Sequence, residues 1–521
     1  MPVSPARAAA FDILLRVETT DAYASELLHS SRTNKLSPAD HGLATEIVMG
    51  VLRWRSVLDE QIAAHVDKAL AKLDAEVITA LRLGAYQLLF LDRIPAHAAI
   101  NESVELVKKA RKRSAAGMVN AVLRRVGTEA SANSVVASRH SEAQRREGIA
   151  SAMPKEHFDP APLGAAAPAE AATNFAVHSA RLKPVPSRTE LAVGSQSDNT
   201  FSIKSRSLGS ARRVASESSS VARYDSALRA HPAWLVEQWE RTYGHETTQA
   251  ICSYDQATPN IVIRADARLL QELEAEGVHL EPGSLLKNAH LVTRGDLTRT
   301  RAFHDKRLTI QDEGSQLIAL LLGQGQRILD CCAAPGGKTR IIAEQNPDSN
   351  VLATELHPHR AALMRRLVSL PNVHVIAGDV RTMPFAGQFD RILLDAPCTG
   401  TGTLARNPEI KWRLKPEDIS RLQAYQVEIL TAATQKLAPG GQLLYSTCSL
   451  EPEENEAVIE QALRGNSSLR LLNIRDRLTE LRNEGALICD PDSLVRGPYL
   501  RTIPGVHPCD GFFAALLERQ M

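Results

Sequence analysis

The sequence has no long apolar run, few cysteines and almost no net charge. Its longest uninterrupted apolar stretches, 317–322 and 512–517, hold about six residues each, whereas a transmembrane helix needs about 18 or more. Charged side chains at Asp12, Arg16 and Glu18 occupy the place where a signal peptide has its apolar region. We therefore expect a cytoplasmic protein with no membrane partner.

The seven cysteines are odd in number and include no CxxC pair, which excludes a disulfide framework. Cys331 and Cys332 are adjacent and cannot chelate as a CxxC pair does, so we predict no metal site. The formal net charge of +1 neither favours nor excludes a nucleic-acid partner, because local patches matter more than the total.

Composition and periodicity divide the chain into four segments. Residues 1–130 carry apolar residues at helical spacing and predict an all-α domain. Residues 131–225 are rich in Ala and Ser without a period, which is typical of a disordered insert or linker. Residues 226–304 predict a helix followed by a small α+β module, and 305–521 predict an α/β domain. The helices predicted in the first segment are 6–17, 41–66, 76–91 and 99–110.

The last segment repeats a strand–loop–helix pattern. Apolar strands that alternate with helices are typical of a parallel sheet covered on both faces, with ligands at the carboxyl ends of the strands. The predicted strands are 327–332, 350–355, 372–379, 389–397 and 441–449.

A glycine-rich turn, CCAAPGGKT, follows the first of these strands. Gly336 and Gly337 allow a tight turn and a close approach of backbone N–H groups to a ligand at a helix N-terminus. A triphosphate-binding P-loop would need glycine where the sequence has Cys332, and no GxGxxG is present. The turn therefore favours an adenosine-type cofactor over a nucleoside triphosphate.

Three acidic residues end successive predicted strands. Glu355 follows the glycine turn by about 20 positions, where doubly wound folds bind a ribose diol. Asp379 and Asp395 end the next two strands. A single acidic residue in such a place can be a helix N-cap, but a series of three indicates a ligand-binding edge.

Two cysteines lie in polar turns just past strands of this sheet, Cys398 in DAPCTGTG and Cys448 in YSTCS. A lone buried cysteine usually acts as a small hydrophobe, whereas an accessible thiolate is a nucleophile. A thiolate added to carbon-6 of cytosine makes carbon-5 able to take a methyl group from a sulfonium donor. Asp395 is then a candidate for the acid that helps charge move onto the ring. The spacing leaves open which thiol attacks.

These motifs together resemble one family. RILDCCAAPGGKT, DAPCTGTGTLARNPEIKWR and YSTCSLEPEEN follow in the order seen in the Sun/Fmu (RsmB) family of 16S ribosomal RNA cytosine-carbon-5 methyltransferases. The N-terminal segment is similar to the helical NusB-like RNA-binding domain fused to that family. The resemblance implies a Rossmann-like catalytic domain, S-adenosylmethionine as cofactor, 16S ribosomal RNA as partner and a monomeric protein.

The resemblance also implies a role for each site residue. Cys448 would be the nucleophile, and Cys398 would assist release of the methylated RNA or act as the base. Asp395 would border both the cofactor and the target base. Glu355 would hold the ribose, and Asp379 the adenine side. The rest of the cofactor site would be Cys332, Ala333, Ala334, Pro335, Gly336, Gly337 and Lys338.

Two basic stretches are candidate phosphate contacts, although such a run can also be a solvated helix face. Two other functions stay open: an RNA-binding assembly factor with a degenerate catalytic domain, and the same chemistry on tRNA. The intact Cys398, Cys448 and Asp395 speak against the first, and the NusB-like segment speaks against the second. The basic candidates are Lys108, Lys109, Arg111, Lys112 and Arg113 in the helical segment and Arg406, Lys411 and Arg413 in the catalytic segment.

Overall fold

A computed structural model describes residues 3–30, 33–129 and 226–521. The segment predicted as an insert or linker, 131–225, lies outside the described residues, and that prediction stays untested. Within the described ranges every helix is too short or too polar to cross a membrane.

The N-terminal part is all-helical, as predicted. The helix predicted over 41–66 is two helices, because Trp54 leaves helical geometry (φ −103°, ψ 15°) and stacks on Phe90 with ring centroids 5.0 Å apart. The prediction of a single helix rested on apolar periodicity alone, which continues across this break. The helices are α1 (Pro5–Thr19), α2 (Ala24–Leu28), α3 (Pro38–Arg53), α4 (Arg55–Ala63), α5 (Ala75–Phe90), α6 (Ala96–Lys109) and α7 (116–129).

A close approach of α3 to α5 fixes the core of this helical part. A Cβ atom on Gly50 would lie 1.9 Å from Cζ of Tyr86, so only glycine admits the tyrosine ring there. The Tyr86 hydroxyl donates to Glu46 at 2.7 Å, which satisfies the one polar atom of an otherwise buried ring.

The middle part is a helical pair followed by a four-stranded antiparallel sheet in the order β2-β3-β1-β4. β2 is mostly exposed and β4 has two residues, so neither gave an apolar signal in the sequence. β4 also lies past the boundary predicted at residue 304. The elements are α8 (Ala233–Tyr243), α9 (His245–Gln256), β1 (Val262–Arg264), α10 (Ala267–Ala275), β2 (His279–Pro282), β3 (Ala289–Arg294), α11 (Arg301–His304) and β4 (Thr309–Ile310).

The C-terminal part is a nine-stranded sheet, and all five predicted strands are present in it. Its strands are β5 (Arg327–Asp330), β6 (Asn350–Glu355), β7 (Val373–Ala377), β8 (Phe389–Asp395), β9 (Leu437–Thr447), β10 (Leu469–Leu472), β11 (Val495–Arg496), β12 (Tyr499–Thr502) and β13 (Phe512–Arg519). Its helices are α12 (Glu313–Leu321), α13 (Gly337–Gln345), α14 (Pro358–Leu367), α15 (Ile410–Arg413), α16 (Pro416–Gln435), α17 (Glu456–Gly465) and α18 (Ile474–Asn483).

The sheet is mixed, whereas the sequence pattern predicted a parallel one. Strands β9-β8-β5-β6-β7 are parallel. Strand β13, in contrast, pairs antiparallel with β9, and β12 and β10 also pair antiparallel with β13. The first six residues of β13 are buried without alternation, so this run could not be distinguished from a buried helix by periodicity.

Candidate active site

A cleft of 930 Å³ opens at the carboxyl ends of the parallel strands. Such an edge is where α/β sheets bind ligands, because the loops after the strands converge there. The cleft brings together most of the residues that the motifs singled out. Its lining includes Cys332, Ala334, Pro335, Glu355, Asp379, Asp395, Cys398 and Cys448.

The two thiols are neighbours. The Sγ atoms of Cys398 and Cys448 lie 3.5 Å apart, and neither cysteine is in a disulfide. The contact with Cys448, together with burial, raises the pKa of the Cys398 thiol well above its usual range. Cys398 is therefore a weaker acid than an ordinary cysteine thiol.

Asp395, at the end of β8, is fixed by two donors. Nζ of Lys338 lies 2.8 Å from Oδ2, and the Ser446 hydroxyl donates to Oδ1 at 2.8 Å. Burial lowers the pKa of Lys338, but the charge and hydrogen bond of Asp395, together with other nearby acidic groups, outweigh it and the net pKa is raised. Lys338, which was predicted for the cofactor loop, is thus an ammonium ion paired with Asp395. It also interacts electrostatically with Cys448.

Gly336 of the cofactor loop is required by backbone conformation and close packing. Gly336 has a positive φ of 106°, and a Cβ atom there would lie 2.5 Å from Val368. The Ala333 amide donates to the Thr354 carbonyl at 2.9 Å, which joins the loop to β6. Ala333, Gly336, Gly337 and Lys338 support the loop and lie outside the cleft lining.

The acidic lining fits an adenosine-type cofactor with a cationic sulfur. Glu355 is buried and accepts from the His357 amide at 2.9 Å, with Arg360 at 3.6 Å from its second oxygen. Arg381 pairs with both carboxylate oxygens of Asp379 and lowers the pKa of that group. Carboxylates can accept from ribose hydroxyls and from the adenine amino group, so both residues are candidates to hold such a cofactor.

A residue absent from the sequence-based site, Glu454, connects the two cysteine turns. Its buried carboxylate accepts from the Thr399 amide at 3.0 Å, the Ser449 hydroxyl at 2.5 Å and the Gln426 amide at 2.9 Å. Burial raises the pKa of Glu454. The only signal in the sequence was the acidic turn EPEENE, residues 451–456, close after STCS.

Comparison with known proteins gives the family. Residues 317–518 match the family described as 16S rRNA methyltransferase RsmB/F. A Bacillus subtilis (strain 168) protein named "Probable ribosomal RNA small subunit methyltransferase B" is 30% identical over 100% of both chains. Ribosomal RNA small subunit methyltransferase B of Pseudomonas syringae is also 30% identical, over 94% of this chain and 91% of its own.

The chain belongs to the RsmB/F methyltransferase family. The other segments of this family member match as well, with the NusB family at 4–128 and the RsmF/B-like ferredoxin-like domain at 231–295. The solved structure titled "Crystal Structure of PH0851" superposes with a TM-score of 0.68 at 20% identity and covers 100% of both chains, which supports the fold.

The second basic stretch of this methyltransferase joins its domains instead of facing solvent. Lys411 is 1% exposed and donates to the Arg53 carbonyl at 3.1 Å. Arg406 is paired with Asp312 at 3.1 Å and with Asp510. The buried Lys411 cannot reach an RNA phosphate, so the expectation for it needs correction. Arg406 is half-buried and already paired with two carboxylates, which reduces its capacity to bind a phosphate. The sequence of this second basic stretch gave no indication that its cations bind carboxylates and carbonyl groups within the protein.

Arg413 also serves the interface. Its guanidinium donates to the carbonyl groups of Val17 at 2.8 Å and Ala22 at 2.7 Å, both in the helical domain. Trp412 donates to the Leu52 carbonyl at 2.6 Å and so also packs at the junction.

The first basic stretch remains on the surface. Lys112 is half-buried and pairs with Asp74 at 3.0 Å, and Lys108 pairs with Glu105 at 2.7 Å. The exposed members of the stretch are Lys108, Lys109, Arg111 and Arg113.

Proposed function

We propose that this protein methylates carbon-5 of a cytosine in 16S ribosomal RNA, with S-adenosylmethionine as the methyl donor. The observation that carries the proposal is the pair of thiols 3.5 Å apart in one cleft with Asp395, Glu355 and Asp379. Carbon-5 chemistry needs a nucleophile at carbon-6 and a second group that handles protons on the same ring. Two thiols in contact beside a fixed carboxylate supply both.

We assign the nucleophile to Cys448. Its sulfur adds to carbon-6, and the S–C bond formed makes carbon-5 electron-rich. The raised pKa of Cys398 keeps that thiol protonated, which leaves Cys448 as the nucleophile, and the Lys338 ammonium adds positive charge near Cys448. The family resemblance agrees with this assignment.

Asp395 and Cys398 complete the proposed chemistry. Asp395, held by Lys338 and Ser446, borders the ring and supports charge that moves to N3. S-adenosylmethionine, when bound, supplies the methyl group as an electrophile. After transfer, the bond between carbon-6 and the Cys448 sulfur breaks, and the Cys398 thiol, 3.5 Å away, gives its proton to that departing sulfur. The thiolate this leaves on Cys398 takes the carbon-5 proton, so both thiols end protonated and the ring regains its double bond.

The rest of the cleft supports the cofactor. We propose that Glu355 accepts from the ribose hydroxyls and that Asp379 lies toward the adenine. Cys332, Ala334 and Pro335 of the 332–338 loop line the same cleft as these two acids and the thiols. The substrate assignment comes from the relatives, whose names specify the RNA of the small ribosomal subunit. The predicted domain boundaries are kept in this proposal, except that the small sheet extends to Ile310.

A methylation assay on defined RNAs tests the proposal. Unmodified 16S ribosomal RNA, unmodified tRNA and S-adenosylmethionine are incubated with the protein, and nucleosides are analysed by mass spectrometry. We expect 5-methylcytidine at one position of the 16S RNA only. Product on tRNA alone would show that the substrate is tRNA. No product on either RNA would favour an RNA-binding assembly factor with a degenerate catalytic domain.

A further inference from the structure

The helical domain contributes side chains to the catalytic cleft. Tyr23, Ser25 and Glu26, at the start of α2, line the same cleft as Cys398 and Cys448. Tyr23 is 43% exposed, which is unusual for an aromatic ring so close to a domain junction. Burial of its other side raises the pKa of the phenol, with further contributions from Glu409 and both thiols. The phenol is therefore neutral, and the ring lines the cleft that contains the two sulfur atoms.

The catalytic domain fixes this ring in position. The Ala24 amide donates to the Glu409 carboxylate at 2.8 Å, in a buried contact across the domain junction. Arg413 holds the carbonyl groups of the preceding loop, and its guanidinium carbon lies 5.9 Å from the centre of the Tyr23 ring. A side chain kept partly exposed by contacts on both sides of its backbone is preorganised for a ligand.

We propose that Tyr23 forms a wall of the pocket for the target nucleotide and stacks on the cytosine presented to Cys448. An enzyme that reacts with a base must first take it out of its stack, and aromatic side chains then replace the lost stacking. A neutral ring at the mouth of a cleft that contains the thiols offers that surface. The helical domain is then part of the active site and is more than an RNA tether.

This inference rests on the proposed function, and kinetics of three variants test it. Tyr23→Ala removes the ring, Tyr23→Phe keeps the ring without the hydroxyl, and Phe303→Ala is the matched control. Phe303 is 36% exposed and lies outside the cleft lining. Each variant is assayed on 16S RNA for kcat and for KM of RNA, with binding of S-adenosylmethionine and the thermal midpoint measured alongside.

We expect Tyr23→Ala to lower kcat/KM for RNA by about 5- to 150-fold, the range for loss of one base–aromatic stack. Tyr23→Phe and Phe303→Ala should match the wild type, and cofactor binding and thermal midpoint should not change. Wild-type kinetics for Tyr23→Ala, or equal loss in Tyr23→Phe, would overturn the stacking role. Loss of cofactor binding or a lowered midpoint would show a structural role instead. If wild type forms no 5-methylcytidine, the proposed function itself fails.

Discussion

The amide nitrogen of Thr399 lies 3.0 Å from the carboxylate of Glu454. This bond joins the turn that carries Cys398 to the segment that follows Cys448, and the Thr399 and Ser449 hydroxyls lie 3.0 Å apart beside it. The distance between the two thiols therefore depends on a buried carboxylate that touches neither sulfur in the described contacts. Glu454 acts as a positioning residue for the catalytic pair.

Glu454→Ala should impair both stability and rate. It leaves the buried Thr399 amide without an acceptor and removes one acceptor each from Ser449 and Gln426, and an unpaired buried donor costs about 1–3 kcal/mol. We expect the free energy of unfolding to fall by at least about 2 kcal/mol in urea titrations. The rate should fall by about 100-fold, because misplacement of reacting groups by about 1 Å has that effect.

Two companion variants separate positioning from charge. Glu454→Gln keeps one acceptor oxygen and should recover part of the rate, whereas Glu460→Ala removes an exposed glutamate of α17 and should change neither quantity. A Glu454→Ala protein with wild-type kcat would show that the turns containing Cys398 and Cys448 keep their positions without Glu454.

The two basic stretches should differ in how salt affects RNA binding. Lys109 is exposed and Lys411 is buried against the Arg53 carbonyl. Lys109→Ala should reduce the slope of log K against log salt by about 0.7–0.9, the loss of one phosphate contact. Lys411→Met should leave that slope unchanged, since no counterion is released there. A reduced slope for Lys411→Met, measured by filter binding, would restore it as an RNA contact.

The pH dependence of stability should report Asp330. Its carboxyl is buried at the end of β5, one oxygen accepts from Thr339 at 2.6 Å, and burial raises the pKa to about 7. The folded state thus binds this proton more tightly than the unfolded state, where the pKa is about 3.9. The stability it contributes is complete below about pH 4 and is lost as pH rises through about 7.

Asp330→Asn should remove this dependence. The free energy of unfolding of the wild type should decline relative to the variant between about pH 4 and pH 7, and the two curves should run parallel above that range. Urea unfolding at a series of pH values measures it. Parallel curves throughout would mean that Asp330 is ionised in the folded protein.

The strand ends were predictable because their cause is local. Apolar runs followed by a glycine turn or an acidic residue specify where β5, β6 and β8 end, and parallel strands bring those ends to one edge. Cys398, Cys448 and Asp395 were located by the same reasoning. The contact at 3.5 Å between the thiols depends on loop conformation, which the positions of the strand ends do not determine.

The partners of the basic residues in the catalytic segment could not be predicted from the sequence. Lys411 and Arg413 lie in a polar stretch of the sequence, and residue type alone cannot distinguish a cation that faces solvent from one that binds carbonyl groups across a junction. Their partners are more than 300 positions away in the chain. The contribution of Tyr23 to the cleft was hidden for the same reason, since it depends on how two domains meet.

Covalent trapping tests the central assignment most directly. Wild type, Cys448→Ala and Cys398→Ala are each incubated with unmodified 16S RNA and S-adenosylmethionine, and protein–RNA adducts are resolved on a denaturing gel. We expect Cys448→Ala to form no adduct, because the sulfur that adds to carbon-6 is missing. Cys398→Ala should accumulate the adduct, because release is blocked after addition. The reverse pattern, with adduct in Cys448→Ala and none in Cys398→Ala, would contradict the account.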